Sequence, residues 1–198
     1  MNDLSLLPSL PRPVCRVASF GGGPGTDAAG LVILQRTHPS CGDMISFDVT
    51  LYDNEPSWKK YISTLASHFG EGVSVSFRLC DVTTGLASPS CDDIIPMDDD
   101  YRTVVKNRNV NVDDVDLLLF FYVCNETSDA ACHDNAWTFY TDVASRAKVG
   151  AVVILADVKS HSALVLTAVM EAMMRVRKCK ILKCRGSHQA EVRVFQFL

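Results

Sequence analysis

Apolar and polar positions along this chain follow two periods, and the switches between them mark its elements. Val14 to Phe20 is a short apolar run that reads as a first strand, ending in Gly21-Gly22-Gly23-Pro24-Gly25. Thr26 or Asp27 is placed to cap a helix reaching about Arg36, with apolar residues on most faces. Thr37 to Ser46 is a polar connection. Phe47 to Tyr52 reads as a second strand, closed by Asp53-Asn54-Glu55, and Pro56 suits the first turn of a helix that runs to about Phe69. Gly70 and Gly72 stop that helix. Val73 to Cys80 alternates apolar and polar residues, a third strand ending at Asp81.

Thr83 to Asp114 is the least regular stretch. It carries Asp92-Asp93 and Asp98-Asp99-Asp100, with a short helix expected within Tyr101 to Asn109. Val115 to Val123 is nearly continuous in apolar residues, the pattern of a strand buried on both faces. Ala130 to Lys148 is helical in composition, Gly150 to Ala156 reads as a fifth buried strand, and Ser160 caps a long helix to Arg177. Lys178 to Cys184 and Glu191 to Phe197 are two last strands with a short connection. Strands alternating with helices imply an α/β fold: a mostly parallel seven-stranded sheet with helices on both faces. The last two strands have no helix between them, so one C-terminal strand is expected to be antiparallel. The chain reads as a single domain over residues 1–198, with 1–13 as an N-terminal extension.

Composition narrows this picture without changing it. Hydrophobic residues make up 47% and charged residues 21% of 198, which excludes a disordered or fibrous chain. Nineteen Lys+Arg against 23 Asp+Glu leave a net charge of −4, which excludes a globally basic nucleic-acid binder but allows a local patch. The one cationic cluster is Arg175, Arg177, Lys178, Lys180, Lys183 and Arg185. It could track phosphates; a charged sheet edge that discourages strand pairing is the preferred reading. No uncharged apolar run reaches the ~18 residues of a membrane-spanning helix. Met1 to Pro13 lacks the charged start and apolar middle of a secretory signal. The eight cysteines form no Cys-x-x-Cys pair, which argues against a zinc knuckle and for a reducing, intracellular compartment. No metal site is expected: the aspartates do not have calcium-loop spacing, and His68, His133, His161 and His188 have no ligand spacing.

The glycine-rich turn between first strand and first helix carries the chemistry. It lets a ligand approach backbone closely, beside the free N–H groups of a helix start. Gly23-Pro24-Gly25-Thr26-Asp27-Ala28 fits the G-x-G-x-x-A form of dinucleotide sites, although Asp27 would stand near the pyrophosphate. Gly21, Gly23 and Gly25 fit a second frame, G-x-G-x-G. With Asp53 at the end of the second strand and Asp81 at the end of the third, this frame resembles class I S-adenosylmethionine-dependent methyltransferases. The resemblance covers about Val14 to Leu198. More narrowly, Ala18 to Asp27 is similar to the FGGGPG signature of fungal ribosomal-RNA uridine methyltransferases.

That resemblance implies a Rossmann-like sheet and S-adenosylmethionine as cofactor. It implies cofactor contacts from Ser19, Gly21, Gly22, Gly23, Gly25 and Asp27, ribose contacts from Asp53 with Asn54, adenine contacts from Asp81 with Val82, and Tyr122 beside the transferring methyl group. It implies RNA or a ribonucleoprotein as partner, in the cytoplasm, nucleus or nucleolus. Two departures stand out. Ser19 occupies the position of the family's usual acid, for which Asp27 could compensate. About 13 residues precede the first strand where the family has helices, so a protein partner is expected to complete the site. Val123-Cys124-Asn125-Glu126 lacks the prolines of amino-adenine methylases, and Cys124 lacks the proline context of carbon-5 methylases. An N3 or hydroxyl acceptor would need a base, for which Glu126 is nominated. A non-catalytic scaffold, a small-molecule methyltransferase and a nicotinamide-dependent oxidoreductase are the competing readings.

Overall fold

Successive side chains of a strand point to opposite faces, so a strand that is apolar throughout must be covered on both. Four strands here meet that condition, and two helical layers cover them. The structure is a computed structural model that describes residues 13–38, 45–70, 72–86, 107, 109–126, 128, 137–158, 162–186 and 190–198. Its order is β1 (Val14–Phe20), α1 (Thr26–Thr37), β2 (Ser46–Asp53), α2 (Trp58–Ala66), β3 (Val73–Leu79), β4 (Leu117–Phe121), α3 (Val123–Glu126), α4 (Thr138–Arg146), β5 (Val152–Val158), α5 (Ser162–Val176), β6 (Cys179–Gly186) and β7 (Ala190–Phe197).

The seven strands form one sheet in the order β3-β2-β1-β4-β5-β7-β6. β1 pairs in parallel with β2 (Val14↔Ser46) and β4 (Val17↔Leu117), β2 with β3, and β4 with β5. β7 alone runs against its neighbours β5 and β6. This is the Rossmann-like sheet with an antiparallel C-terminal strand that the sequence leads one to expect.

On one face, Val17, Phe47, Val49, Leu51 and Leu119 pack against α1 (Ala28, Leu31, Val32) and α2 (Ile62). On the other, Ala18, Phe20, Leu118, Phe120, Val153 and Leu155 pack against α4 (Phe139, Tyr140, Val143) and α5 (Leu166, Val169, Met170, Met173). Met174 packs partly against this second core. Phe20 is the aromatic hub: its ring stacks on Tyr52 (centroids 5.0 Å) and Phe120 (4.7 Å) and meets Phe139 edge-on (5.2 Å). β6 lies at the sheet edge, where Lys178, Lys180 and Lys183 are exposed, as the edge-protection reading requires. No helix among the described residues is long and apolar enough to cross a membrane.

Some boundaries differ from expectation, each for a backbone reason. β4 spans Leu117–Phe121 rather than Val115–Val123, because Tyr122 adopts φ 63° and turns the chain out of the sheet. α1 is capped by Gly25 in the left-handed region, not by Thr26 or Asp27, and no side chain caps it. α4 starts at Thr138 because Trp137, also left-handed, interrupts any helix from Ala130. Asn107 and Asn109 are not helical; the rest of the helix expected within Tyr101 to Asn109 lies outside the described residues, as do Ser160 and the aspartates from Asp92 to Asp100.

The buried Phe20 hub joins three strands to α4, so Phe20→Ala should lower unfolding free energy by about 3–5 kcal/mol, the usual cost of a large aromatic cavity. Urea denaturation measures this, and a loss below ~1 kcal/mol would show that the hub carries little stability.

Candidate functional site

From β1 the chain moves through β2 to β3 on one side, then crosses to β4 on the other. Such a reversal leaves a crevice at the carboxyl ends of β1 and β4, because the helices that follow lie on opposite faces. A cleft of about 120 Å³ opens there. It is lined by Gly21 from the tip of β1, Asp53 and Asn54 from β2, Cys80, Asp81 and Val82 from β3, and Val123 and Glu126 from α3.

The glycine turn forms because neighbouring side chains leave room for nothing larger. Gly21 has φ 69°, and a Cβ there would sit 2.7 Å from the Val123 Cβ. Gly25 has φ 88°, and a Cβ there would sit 2.9 Å from Ile62 Cδ1. Both positions therefore need glycine on backbone and steric grounds. The turn is tied to β2: the Tyr52 carbonyl accepts the N–H groups of Gly21 (2.8 Å) and Gly22 (3.3 Å), and Asp53 Oδ2 accepts that of Gly23 (2.9 Å). Asp53 Oδ1 accepts the N–H of Glu55 (3.0 Å), which holds the carboxylate at the cleft. Gly25 N–H closes the turn on the Gly22 carbonyl (2.9 Å).

Asp81 is positioned at the tip of β3 by its own turn, accepting the N–H (2.9 Å) and hydroxyl (2.6 Å) of Thr83. Buried Asn107 clamps the same segment: its Oδ1 accepts the Asp81 N–H (2.8 Å) and its Nδ2 donates to the Asp81 carbonyl (2.7 Å). Nothing in the sequence around Asn107 marks this role, since the contact joins residues 26 positions apart. Cys80 and Val123 were also missed as lining residues. Cys80 follows an alternating run that makes it look like ordinary core, and Val123 falls inside the apparent fourth strand.

Ser19 and Asp27 lie beside the turn rather than in the cleft lining. Ser19 is fully buried and donates its hydroxyl hydrogen bond to Asp27 Oδ2. Burial holds the Asp27 carboxyl above the ordinary carboxylate range, against the opposing pull of hydrogen bonds from Ser19 and Thr26. No ion pair to Asp27 occurs among the described residues. Gly22, Gly23 and Gly25 are buried within the turn, away from the lining.

Tyr122 is half-exposed at the tip of β4, outside the cleft lining, with its N–H bonded to the Ala156 carbonyl (2.8 Å). Its left-handed backbone costs about 1–2 kcal/mol for a residue with a Cβ. Glu126 is exposed at the end of α3 and reaches the lining. Cys124, one turn earlier, is fully buried, and burial pushes its thiol up to about 12, so it is no nucleophile at neutral pH. Burial, then the charges of Asp81 and Asp53, push the Cys80 thiol up as well.

The charge of the cleft follows from this list. Asp53, Asp81 and Glu126 line it, Asp27 stands beside it, and no Lys or Arg lines it among the described residues. Such a site disfavours phosphates and suits a cation bearing hydroxyl groups. No group of His, Cys, Asp and Glu suited to a metal ion occurs among the described residues.

No protein-family model and no curated protein matches the chain by sequence. Solved structures do match in shape. A SAM-dependent methyltransferase from Methanosarcina mazei superposes with a TM-score of 0.56 at 11% identity, over 96% of this chain and 95% of that one. An rRNA methylase from Escherichia coli gives 0.54 at 12% identity, over 92% of this chain and 57% of that one. A [4+2]-cyclase gives 0.52 at 12% identity, over 88% and 55%. The chain thus has the Rossmann-like fold of S-adenosylmethionine-dependent methyltransferases, a fold that also carries a cyclase.

Asp27 gives a pH test of the charge balance. Its raised folded-state pKa means that its contribution to stability is full below the unfolded value of about 4 and is lost as pH rises through the folded value. Asp27→Asn keeps an acceptor for Ser19 and does not titrate. Its stability advantage over the parent chain should therefore grow above pH ~4 and then level off. Urea denaturation from pH 4 to 8 measures this; an advantage that is constant or shrinks with pH would contradict the assignment.

Proposed function

We propose that the chain binds S-adenosylmethionine across the tips of β1, β2 and β3 and transfers its methyl group to RNA. One observation carries this reading: a glycine turn bonded to an acidic strand tip, opening on a cleft with three carboxylates and no lining cation among the described residues. A sulfonium nucleoside with an ammonium group fits that charge, and a dinucleotide pyrophosphate does not. The oxidoreductase reading is disfavoured on this ground.

The residues present fit the cofactor part by part. Each carboxylate oxygen of Asp53 accepts one backbone N–H and has a further lone pair to offer a ribose hydroxyl. Asp81 and Val82 form the wall suited to the adenine ring. Asp27, held by Ser19, supplies the negative charge for the ammonium group, so the acid expected at position 19 comes instead from the first turn of α1. The first N–H groups of α1 have no partners within the helix and suit the cofactor carboxylate.

When bound, the cofactor supplies an electrophilic methyl group. The chain's task is then to orient an acceptor in line and exclude water. Glu126, exposed at the rim, is the group placed to take the acceptor's proton. The five described cysteines are all free, which supports an intracellular site of action.

A second reading, a non-catalytic scaffold or a protein completed by a partner, is favoured by cleft size. About 120 Å³ is enclosed, below the ~300–1,000 Å³ of most small-molecule pockets.

Titration calorimetry with S-adenosylmethionine separates the two. The enzyme reading predicts binding that Asp53→Ala weakens about 10- to 150-fold, the loss of hydrogen bonds to a charged group. Absence of binding at millimolar cofactor would favour the scaffold, and unchanged affinity in the variant would defeat the ribose assignment.

A further inference from the structure

Turns that need a positive φ normally use glycine, yet the turn out of β4 uses a bulky aromatic. The turn itself has a clear purpose, because it swings Val123 onto Gly21 and closes the wall of the cleft. Glycine at 122 would make the same turn without strain. The side chain is therefore what the position retains, and that side chain is not used internally. Tyr122 is 53% exposed and has no hydrogen bond from its hydroxyl and no ring contact among the described residues.

Its neighbours on the same edge are also apolar and open. Val158 ends β5, the strand paired with β4, and is 47% exposed; Leu164, in the first turn of α5, is 80% exposed. An exposed apolar rim beside a polar cleft marks a contact surface. The adjacent Glu126, Asp53 and Asp81 repel phosphate, so a nucleic acid approaching this edge would turn its bases inward rather than its backbone.

We propose that Tyr122 is a stacking platform for the acceptor base of single-stranded RNA, with Val158 and Leu164 as its apolar rim. This assignment rests on the methyltransferase reading above and adds the residue that positions the acceptor. Stacking on an aromatic ring holds a base of any sequence, because every base has a π-face. The strained backbone fixes the ring at the mouth of the cleft, one residue before the wall formed by Val123.

The test uses the full chain, titrated with S-adenosylmethionine and then, at saturating cofactor, with a fluorescein-labelled oligouridine decamer and with free uridine. Y122N and Y122G should bind cofactor like the parent chain and unfold at an equal or higher temperature, since both residues accept a positive φ. Their dissociation constants for the decamer should rise about tenfold or more, the effect of losing one stacked base. Y122F should stay within about twofold of the parent, because the ring and not the hydroxyl does the holding. Equal decamer affinity in parent and Y122N would overturn the platform, and so would loss of cofactor affinity in Y122N. Binding of uridine with none of the decamer would overturn the RNA assignment. Failure of the parent chain to bind cofactor would defeat the methyltransferase reading, whereas decamer affinity lost in Y122N under that condition would still support the platform.

Discussion

The tip of β1 is held by the tip of β2, and the site depends on that tie. Two glycine N–H groups converge on one carbonyl, that of Tyr52, and a third reaches the Asp53 carboxylate in the next residue. The turn is thereby fixed in shape and bonded directly to the acid that faces the cleft. Beneath it, Tyr52 and Phe20 stack in the buried core, so the site stands on the most densely aromatic part of the fold. Across from it, Val123 packs where any β-carbon on Gly21 would collide. Position, charge and stability therefore meet in a few residues at three strand tips.

Much of this was legible in the sequence, and the reason is locality. Each strand and helix announces itself within its own span, so the alternation of elements and the final strand pair led to the right sheet class. The glycine turn and the acids at the ends of β2 and β3 were legible for the same reason: a strand-ending acid sits at a fixed place once the strand is found. Asp53, Asn54, Asp81, Val82, Gly21 and Glu126 do meet at one cleft. What escaped was set by distant contacts or single backbone angles. Asn107 reaches Asp81 across a long insertion, and Ser19 meets Asp27 only because α1 starts one residue later than its polar residues suggest. Tyr122 and Trp137 adopt left-handed conformations that no pattern of apolar residues reveals. The apparent nine-residue strand at Val115 to Val123 was shortened by the first of these.

Fold and function separate here in an instructive way. The sheet order is shared with methyltransferases and with a cyclase, so the sheet alone does not name a reaction. The charge of the cleft discriminates further than the topology does. Carboxylates without a lining cation suit a positively charged nucleoside, and a buried acid beside the turn, with no ion pair among the described residues, raises the free energy of the empty state. A cationic ligand would relieve that cost.

Hydrogen–deuterium exchange with and without S-adenosylmethionine tests this account most directly, because it reports where the ligand lies and not merely whether it binds. Slower exchange should appear together in the segments containing Gly21 to Asp27, Asp53 to Asn54 and Asp81 to Val82, and leave the β6 edge unchanged. Protection absent from all three segments, or confined to other parts of the sheet, would contradict it.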